Sequence, residues 1–245
     1  MPTFETLYLD TVDSTSSFLK NHPDLLQKPF FTVTAREQTG GRGRYSRRWY
    51  MRKDDLAFSF VYRAPSAATA GITLVTGVSL LEFLQSEAGA ALELKWPNDI
   101  LFRGKKLCGI LTEALPDHNI FTAVIGVGIN VNSTVFPEEI AGLATSLKLI
   151  GGKDFSATEM LPRLCEKLYA ELAGAVFPLP PLFCEKFMEH SGLRNRRVLV
   201  ELENRQREAR IKGISPTGSL LLELLPGKNP LEYFGEICYP AGESK

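Results

Sequence analysis

The chain has 245 residues, of which 28 are basic and 28 acidic, and 44% are apolar. That length holds one large domain, or a large one plus a small one, and a net charge of zero excludes bulk attraction to nucleic acid or anionic membrane. No apolar run reaches the roughly 18 residues a membrane helix needs, and the opening MPTFETLYLD has neither the basic nor the apolar region of a signal peptide.

In chain order, Leu7 and Leu9 alternate with polar neighbours and predict a strand. The run Asp13-Ser14-Thr15-Ser16-Ser17 then offers several N-cap residues for a helix that starts before Phe18. Residues 30–36, FFTVTAR, alternate as a half-buried strand, and residues 56–62, LAFSFVY, form a second. Residues 71–86 carry apolar side chains at roughly helical spacing and predict a largely buried helix. Residues 92–96, LELKW, return to a strand, with Glu93 and Lys95 on its polar face and a turn at Trp-Pro-Asn-Asp. Residues 106–114 and 120–131 predict two more strands; the second is almost continuously apolar and belongs in the middle of a sheet. An amphipathic helix follows over 157–173, with Pro162 in its first turns.

PLPP at 178–181 breaks the periodicity, and a short helix to about His190 is expected. From Arg194 onward, short strands over 196–203, 207–215, 219–225 and 233–240 alternate with turns at 204–205, 216–218 and 226–230. The pattern predicts an α+β domain over 1–190, with a mixed sheet and flanking helices, and a small β domain over 191–245. Cys108, Cys165, Cys184 and Cys238 are scattered, with no CxxC pair and no Cys/His cluster. This predicts four buried, reduced thiols in a cytoplasmic protein.

Four segments hold polar residues that packing alone does not require. Asp13-Ser14-Thr15 caps a helix and also offers hydroxyls to a small polar ligand. In residues 38–53, QTGGRGRYSRRWYMRK, six of the sixteen residues are Arg or Lys and none is acidic. Gly40, Gly41 and Gly43 permit positive φ and close approach to a ligand; Arg42, Arg44, Arg47 and Arg48 offer planar donor forks to carboxylate or phosphate. A solvated basic loop and an RNA-stacking segment with Tyr45 and Trp49 are the other readings, but a small anion explains the glycines better. The third segment is Lys95-Trp96-Pro97-Asn98-Asp99 with Lys105-Lys106, where Lys95 is either an edge lysine paired with Glu93 or a charge placed to neutralise an anion. The fourth is GVGINVN, 126–132, where glycines in a central strand imply close approach and Asn130 and Asn132 share a face. Nucleotide-binding GxGxxG and GxxxxGK[ST] patterns, HExxH and GxSxG are all absent. The residues point to a polar small molecule and a phosphate-bearing one, side by side.

These segments resemble the biotin–protein ligases. The match is carried by Asp13-Ser14-Thr15, Gln38 with GGRGRxxRxW (Gly40 to Trp49), KWPNDI (Lys95 to Ile100), KKLCGILTE (Lys105 to Glu113) and VIGVGINVN (Val124 to Asn132). Residues 144–147, ATSL, are also similar. Ser46 stands where the family loop often has glycine. The resemblance implies a catalytic domain of the biotin–lipoate ligase type, like that of class II aminoacyl-tRNA synthetases, and a C-terminal SH3-like barrel ending near Gly235-Glu236-Ile237. It implies that biotin and MgATP form biotinoyl-5′-adenylate, and that the acyl group passes to a lysine of a biotin carboxyl carrier domain. It places biotin at Ser14, Thr15, Gln38, Gly40, Gly41, Arg42, Lys95 and Gly109, and ATP or adenylate at Arg42, Arg44, Trp49, Lys95 and Asn130. Catalytic roles fall to Arg44, Lys95, Lys106 and Asp99, the last orienting or deprotonating the incoming lysine. Metal ligands are not assigned. Because the sequence starts directly on the catalytic segments, no DNA binding is expected, and a homodimer paired at an exposed sheet edge is compatible with the pattern. The rival readings are a lipoate ligase or octanoyl transferase of related fold, and a binding module for biotin, its adenylate or RNA.

Overall fold

The computed structural model describes residues 4–64, 69–115, 120–224 and 229–240. The main domain contains β1 (Thr6–Val12), α1 (Thr15–Lys20), β2 (Thr32–Gln38), β3 (Leu56–Ala64), α2 (Thr69–Ala88), β4 (Glu93–Lys95), β5 (Asp99–Phe102), β6 (Lys105–Leu115) and β7 (Phe121–Ile129). Helices α3 (Leu147–Gly151), α4 (Ala157–Ala173) and α5 (Pro181–Ser191) follow. The seven strands form one sheet in the order β1-β2-β3-β7-β6-β5-β4. The β1–β2 pair is parallel and the other pairs are antiparallel, so the sheet is mixed.

Alternation along β3 explains how the sheet is covered. Leu56, Phe58, Phe60 and Tyr62 point into the larger core with α2 and α4, while Val61, from the alternate set, joins Val33, Val124 and Leu19 of α1 on the opposite face. Phe58 and Phe60 are fully buried, and truncating such a side chain to alanine costs about 3–5 kcal/mol. Helix α2 is buried throughout residues 71–81; with the sheet on one side and other helices on the rest, it keeps no polar stripe. Helix α4 begins at an N-cap: Ser156 Oγ accepts from Glu159 N at 3.2 Å.

Strands β8 (Arg197–Leu202), β9 (Arg205–Ile214), β10 (Leu220–Glu223) and β11 (Leu231–Tyr233) form a second antiparallel sheet, in the order β11-β10-β9-β8. Leu199 and Cys238 exchange backbone hydrogen bonds of 2.8 and 3.0 Å, so the C-terminal segment covers the outer edge of β8. Val198, Val200, Ile211, Leu220 and Leu222 pack into a core that is continuous with the main one.

Several local expectations change. Asp99 opens a strand, β5, in place of closing a turn, and α3 was not anticipated. The β8–β9 turn is Glu203-Asn204, both left-handed at φ 52° and 58°, one residue before the expected position. The stretch 233–240 contributes the end of β11 and the Cys238 bridge, not a continuous strand. The expected turn over 226–230 lies mostly outside the described residues. Cys238 is exposed, against the expectation of four buried thiols. Burial pushes the Cys165 thiol up to about 11 and raises Cys108 and Cys184 as well, which keeps these three protonated and unreactive. Among the described residues, no helix is long and apolar enough to cross a membrane.

Candidate active site

The basic loop folds back on itself as a narrow strap. Trp49 N donates to Gly41 O at 2.9 Å and Gly43 N to Arg47 O at 2.7 Å, with a bridge between Arg42 and Arg48. Gly40 N donates to Asp13 O at 2.7 Å, which ties the strap to the link between β1 and α1. None of Gly40, Gly41 and Gly43 takes a positive φ; the left-handed residue is Tyr45, at 53°. Glycine at 41 is required for another reason, because a Cβ there would lie 2.7 Å from Trp49 O. The close approach is between two arms of the strap.

Under the strap, α1 begins with four consecutive buried residues, Ser14, Thr15, Ser16 and Ser17. Thr15 donates to Gln38 Oε1 from its backbone N at 2.9 Å and from Oγ1 at 3.2 Å. Thr15 Oγ1 and Ser16 Oγ both meet Ser59 Oγ of β3, at 2.7 and 2.9 Å. Arg42 donates from Nη2 to Ser17 Oγ. Hydroxyls, one amide and one guanidinium thus converge at this end, a set that suits a compact polar head group.

The other end is cationic. Lys95 closes β4 with its side chain exposed, and among the described residues it has no carboxylate partner, so of the two readings the pairing with Glu93 is not made. A three-residue turn containing a cis Trp96–Pro97 bond leads to β5, with Lys95 opposite Asp99. Asn98 is pinned to β6: its Nδ2 donates to Ile110 O at 2.6 Å, and its backbone O accepts from Ile110 N at 2.9 Å. That leaves Asn98 Oδ1 toward Arg44 Nη1 at 3.5 Å, and Arg44 also donates to Tyr45 OH at 3.2 Å. Lys106 Nζ lies 2.7 Å from Asp99 Oδ1. Asp99 faces Gly109 across the β5–β6 ladder, and a Cβ on Gly109 would come within 2.9 Å of Lys106 Cε. The missing side chain at 109 is what lets Lys106 lie across to Asp99.

Glycines also explain the floor. A Cβ on Gly128 would fall 2.3 Å from the Trp49 indole, and one on Gly126 would fall 2.7 Å from Ser16 Oγ. The close approach inferred for this strand is therefore made by the protein's own side chains. Trp49 Nε1 is buried with no hydrogen-bond partner among the described residues, and Lys106 Nζ sits 5.6 Å from the indole centroid. Asn130 Nδ2 donates to Thr145 O at 2.9 Å and to Lys106 O at 3.3 Å, so its amide staples the segment 144–147 to β6. Asn132 turns away to Phe155, donating to its O at 2.7 Å and accepting from its N at 3.0 Å. The strap, the start of α1 and strands β3 to β7 enclose a cavity of about 330 Å³, within the range of small-molecule sites.

A model of the biotin/lipoate A/B protein ligase family matches residues 8–130, and one of the biotin protein ligase C-terminal domain matches residues 194–237. The chain belongs to the biotin/lipoate A/B protein ligase family. It is 32% identical over 230 residues to the bifunctional ligase/repressor BirA of Bacillus spizizenii, covering 90% of this chain and 70% of that protein. It is 33% identical over 215 residues to the biotin–[acetyl-CoA-carboxylase] ligase of Mycobacterium tuberculosis, covering 84% and 78%. A biotin protein ligase from Aquifex aeolicus, solved in complex with biotin and ATP, superposes with a TM-score of 0.79 at 29% identity, covering 95% of this chain and 97% of that one.

For this member of the biotin/lipoate ligase family, the structure brings Ser14, Thr15, Gln38, Arg42, Arg44, Trp49, Lys95, Asp99, Lys106, Gly109 and Asn130 to one cavity. Gly40 and Gly41 are not in its wall; they hold the base of the strap. Sequence reasoning passed over Ser59, Asn98, Ser16 and Glu236, which also line the cavity. Ser59 had a readable signal, a serine in the middle of the apolar strand LAFSFVY. Glu236 had none, since its contact with Arg47 at 3.1 Å spans almost the whole chain.

Proposed function

We propose that this chain is an ATP-dependent biotin–protein ligase. It activates biotin as biotinoyl-5′-adenylate and transfers the acyl group to a lysine of a biotin carboxyl carrier domain. The observation that carries the reading is one cavity with a neutral hydroxyl-and-amide end and a cationic end, in a chain of the ligase family. A uncharged, hydrogen-bonding ring fits the first end, and two joining anions fit the second.

In the first half-reaction a biotin carboxylate oxygen bonds to the α-phosphorus of ATP, and pyrophosphate leaves with the electrons of the broken P–O bond. Ser14, Thr15, Gln38 and Arg42 hold the head group. Lys95 and Arg44 offset the repulsion between carboxylate and polyphosphate and hold the attack geometry. Trp49, on its glycine floor, and Asn130 border the nucleotide. A Mg²⁺ ion bound with ATP would share the phosphate charge. The donor set fits an ion carried mainly by phosphate: among the described residues no three His, Cys, Asp or Glu side chains cluster for a metal, and Mg²⁺ commonly uses one or two carboxylates plus phosphate oxygens.

In the second half-reaction the acceptor amine bonds to the acyl carbon of the anhydride, and AMP leaves on its phosphate oxygen. Asp99 and Lys106 stand as a neutral pair beside this centre. Once the adenylate's negative charge draws Lys106, Asp99 is free to receive the ammonium of the incoming lysine, orient it and take the proton it loses to become the attacking amine; the second proton, lost as the amide forms, leaves with the phosphate of AMP or to solvent. The chain works in the cytoplasm, as a main domain over 1–190 carrying a β domain over 191–245. A homodimer would pair at β1, the longest strand at an end of the main sheet among the described residues. The test is incubation with equimolar biotin and lipoate, MgATP and an unmodified carrier domain, followed by mass spectrometry. One biotinoyl adduct on one lysine is expected, and a lipoyl adduct formed in preference would move the chain to the lipoate branch of the family.

A further inference from the structure

Ser59 is fully buried in the middle of the main sheet, on β3, paired with Gly126 of β7. Its neighbours on the same face, Ala57 and Val61, are apolar. Packing alone does not call for a hydroxyl here, yet Ser59 Oγ meets both Thr15 Oγ1 at 2.7 Å and Ser16 Oγ at 2.9 Å. Gly126 leaves the room for this: a Cβ at 126 would stand 2.7 Å from Ser16 Oγ and 3.3 Å from Ser59 Oγ.

The direction of the protons in this cluster follows from counting donors. Thr15 N donates to the side chain of Gln38 at 2.9 Å, which fixes that atom as the amide oxygen, an acceptor only. The 3.2 Å contact from Thr15 Oγ1 to the same oxygen must then carry the threonine proton, since otherwise two acceptors would face each other. A hydroxyl has one proton, so Thr15 Oγ1 accepts from Ser59, and Ser59 in turn accepts from Ser16. The relay runs from Ser16 through Ser59 and Thr15 to Gln38. Both Thr15 and Ser16 therefore spend their protons inside the protein and present lone pairs to the cavity, while Gln38 keeps its NH₂ to donate.

We propose that Ser59 is a positioning and specificity-determining residue: by donating to Thr15 it presets the head-group pocket as an acceptor of ligand N–H groups. The inference rests on the biotin-ligase reading and extends it to a buried residue on the cavity wall that sets the polarity of its neighbours. It explains how the pocket selects a cyclic urea, whose two N–H groups need acceptors, over a ring of the same shape that lacks one. A pocket with buried lone pairs rejects such a ring because acceptor then faces acceptor.

The test compares wild type with Ser59→Ala and Ser59→Cys in acid-dependent exchange of labelled pyrophosphate into ATP. The acids are biotin and its two ring carbamates, each with one ureido N–H replaced by oxygen. Wild type is expected to reject one carbamate about a hundredfold relative to biotin. In Ser59→Ala the Thr15 hydroxyl is free to turn and donate, so that ratio narrows about tenfold, the KM for biotin rises several-fold and the KM for ATP is unchanged. Ser59→Cys keeps a weak donor and falls between the two. A shift by the same factor for biotin and both carbamates would reduce Ser59 to a packing role and overturn the proposal. So would unchanged ratios in both variants. Absence of biotin-dependent exchange in wild type is a different failure: it removes the ligase reading itself, and the proposal with it.

Discussion

The Trp49 indole lies against the backbone of Gly128 so closely that a Cβ at 128 would stand 2.3 Å from the ring. The loop that carries the arginines is thereby seated on the central strand β7, and the seat consists of missing side chains.

Gly128→Ala is therefore expected to unseat Trp49. Forcing one methyl into a packed contact costs about 1–3 kcal/mol, which is about a 5- to 150-fold loss in affinity if the cost falls on the liganded site. Calorimetric titration with biotin in the presence of a non-hydrolysable ATP analogue measures it. Affinity within twofold of wild type would mean the indole has another place to go.

Arg44 is the strap arginine that Asn98 and Tyr45 hold at the cationic end. Arg44→Gly should still form adenylate but release it early, because a charged hydrogen-bonding partner of the phosphate is gone. With about 1.5–3 kcal/mol for such a bond, release should speed up about 10- to 150-fold. Rapid filtration of enzyme-bound labelled adenylate gives the rate, and wild-type retention would remove Arg44 from the clamp.

Much of this was legible in the sequence, and the exceptions have physical causes. The boundaries of α4 follow from an amphipathic stripe, which is local. The hydroxyl run at 14–17 and the KWPND turn are contiguous, so they announce themselves. Gly40, Gly41 and Gly43 do not take the positive φ that the sequence suggested. At 41, 109, 126 and 128 glycines make room for Trp49, Lys106 and Ser16, which are distant in sequence for the last two, so only the folded chain reveals what fills the space. Strand β5 was missed because four residues after a proline carry too little periodicity to declare a strand. The Asp99–Lys106 pair needed the β5–β6 register, which local pattern does not supply.

Asp55 supports the site from beneath. Its buried carboxylate accepts from Val131 N at 2.8 Å, from Asn132 N and Ser133 N at 3.2 Å, and from Ser133 Oγ at 2.5 Å. It holds the turn that follows β7 and Asn130. Asp55→Ala would leave several buried donors unsatisfied, at about 1–3 kcal/mol each, so a loss of about 3 kcal/mol or more is expected in urea unfolding. A loss under about 1 kcal/mol would show that water or rearrangement replaces the carboxylate.

Acid stability should depend on Glu82, which joins α2 to Lys167 of α4 at 3.0 Å and to Lys186 of α5. Burial pushes this carboxyl up, but the ammonium groups of Lys186 and Lys167 outweigh it and hold it below its ordinary value. A carboxyl depressed in the folded state adds stability above its unfolded pKa, and that stability is lost as pH falls through the folded pKa. Wild type should therefore melt higher than Glu82→Gln at neutral pH, with the gap closing below about pH 4. A gap that stayed constant down to pH 3 would contradict the linkage.

The most direct test of the whole account is biotin-dependent exchange of labelled pyrophosphate into ATP, with lipoate as the control acid. The account predicts exchange with biotin, dependent on Arg44 and Lys95, and none above background with lipoate. No exchange with either acid, at protein shown to be folded, would contradict it and leave the cavity as a binding site without chemistry.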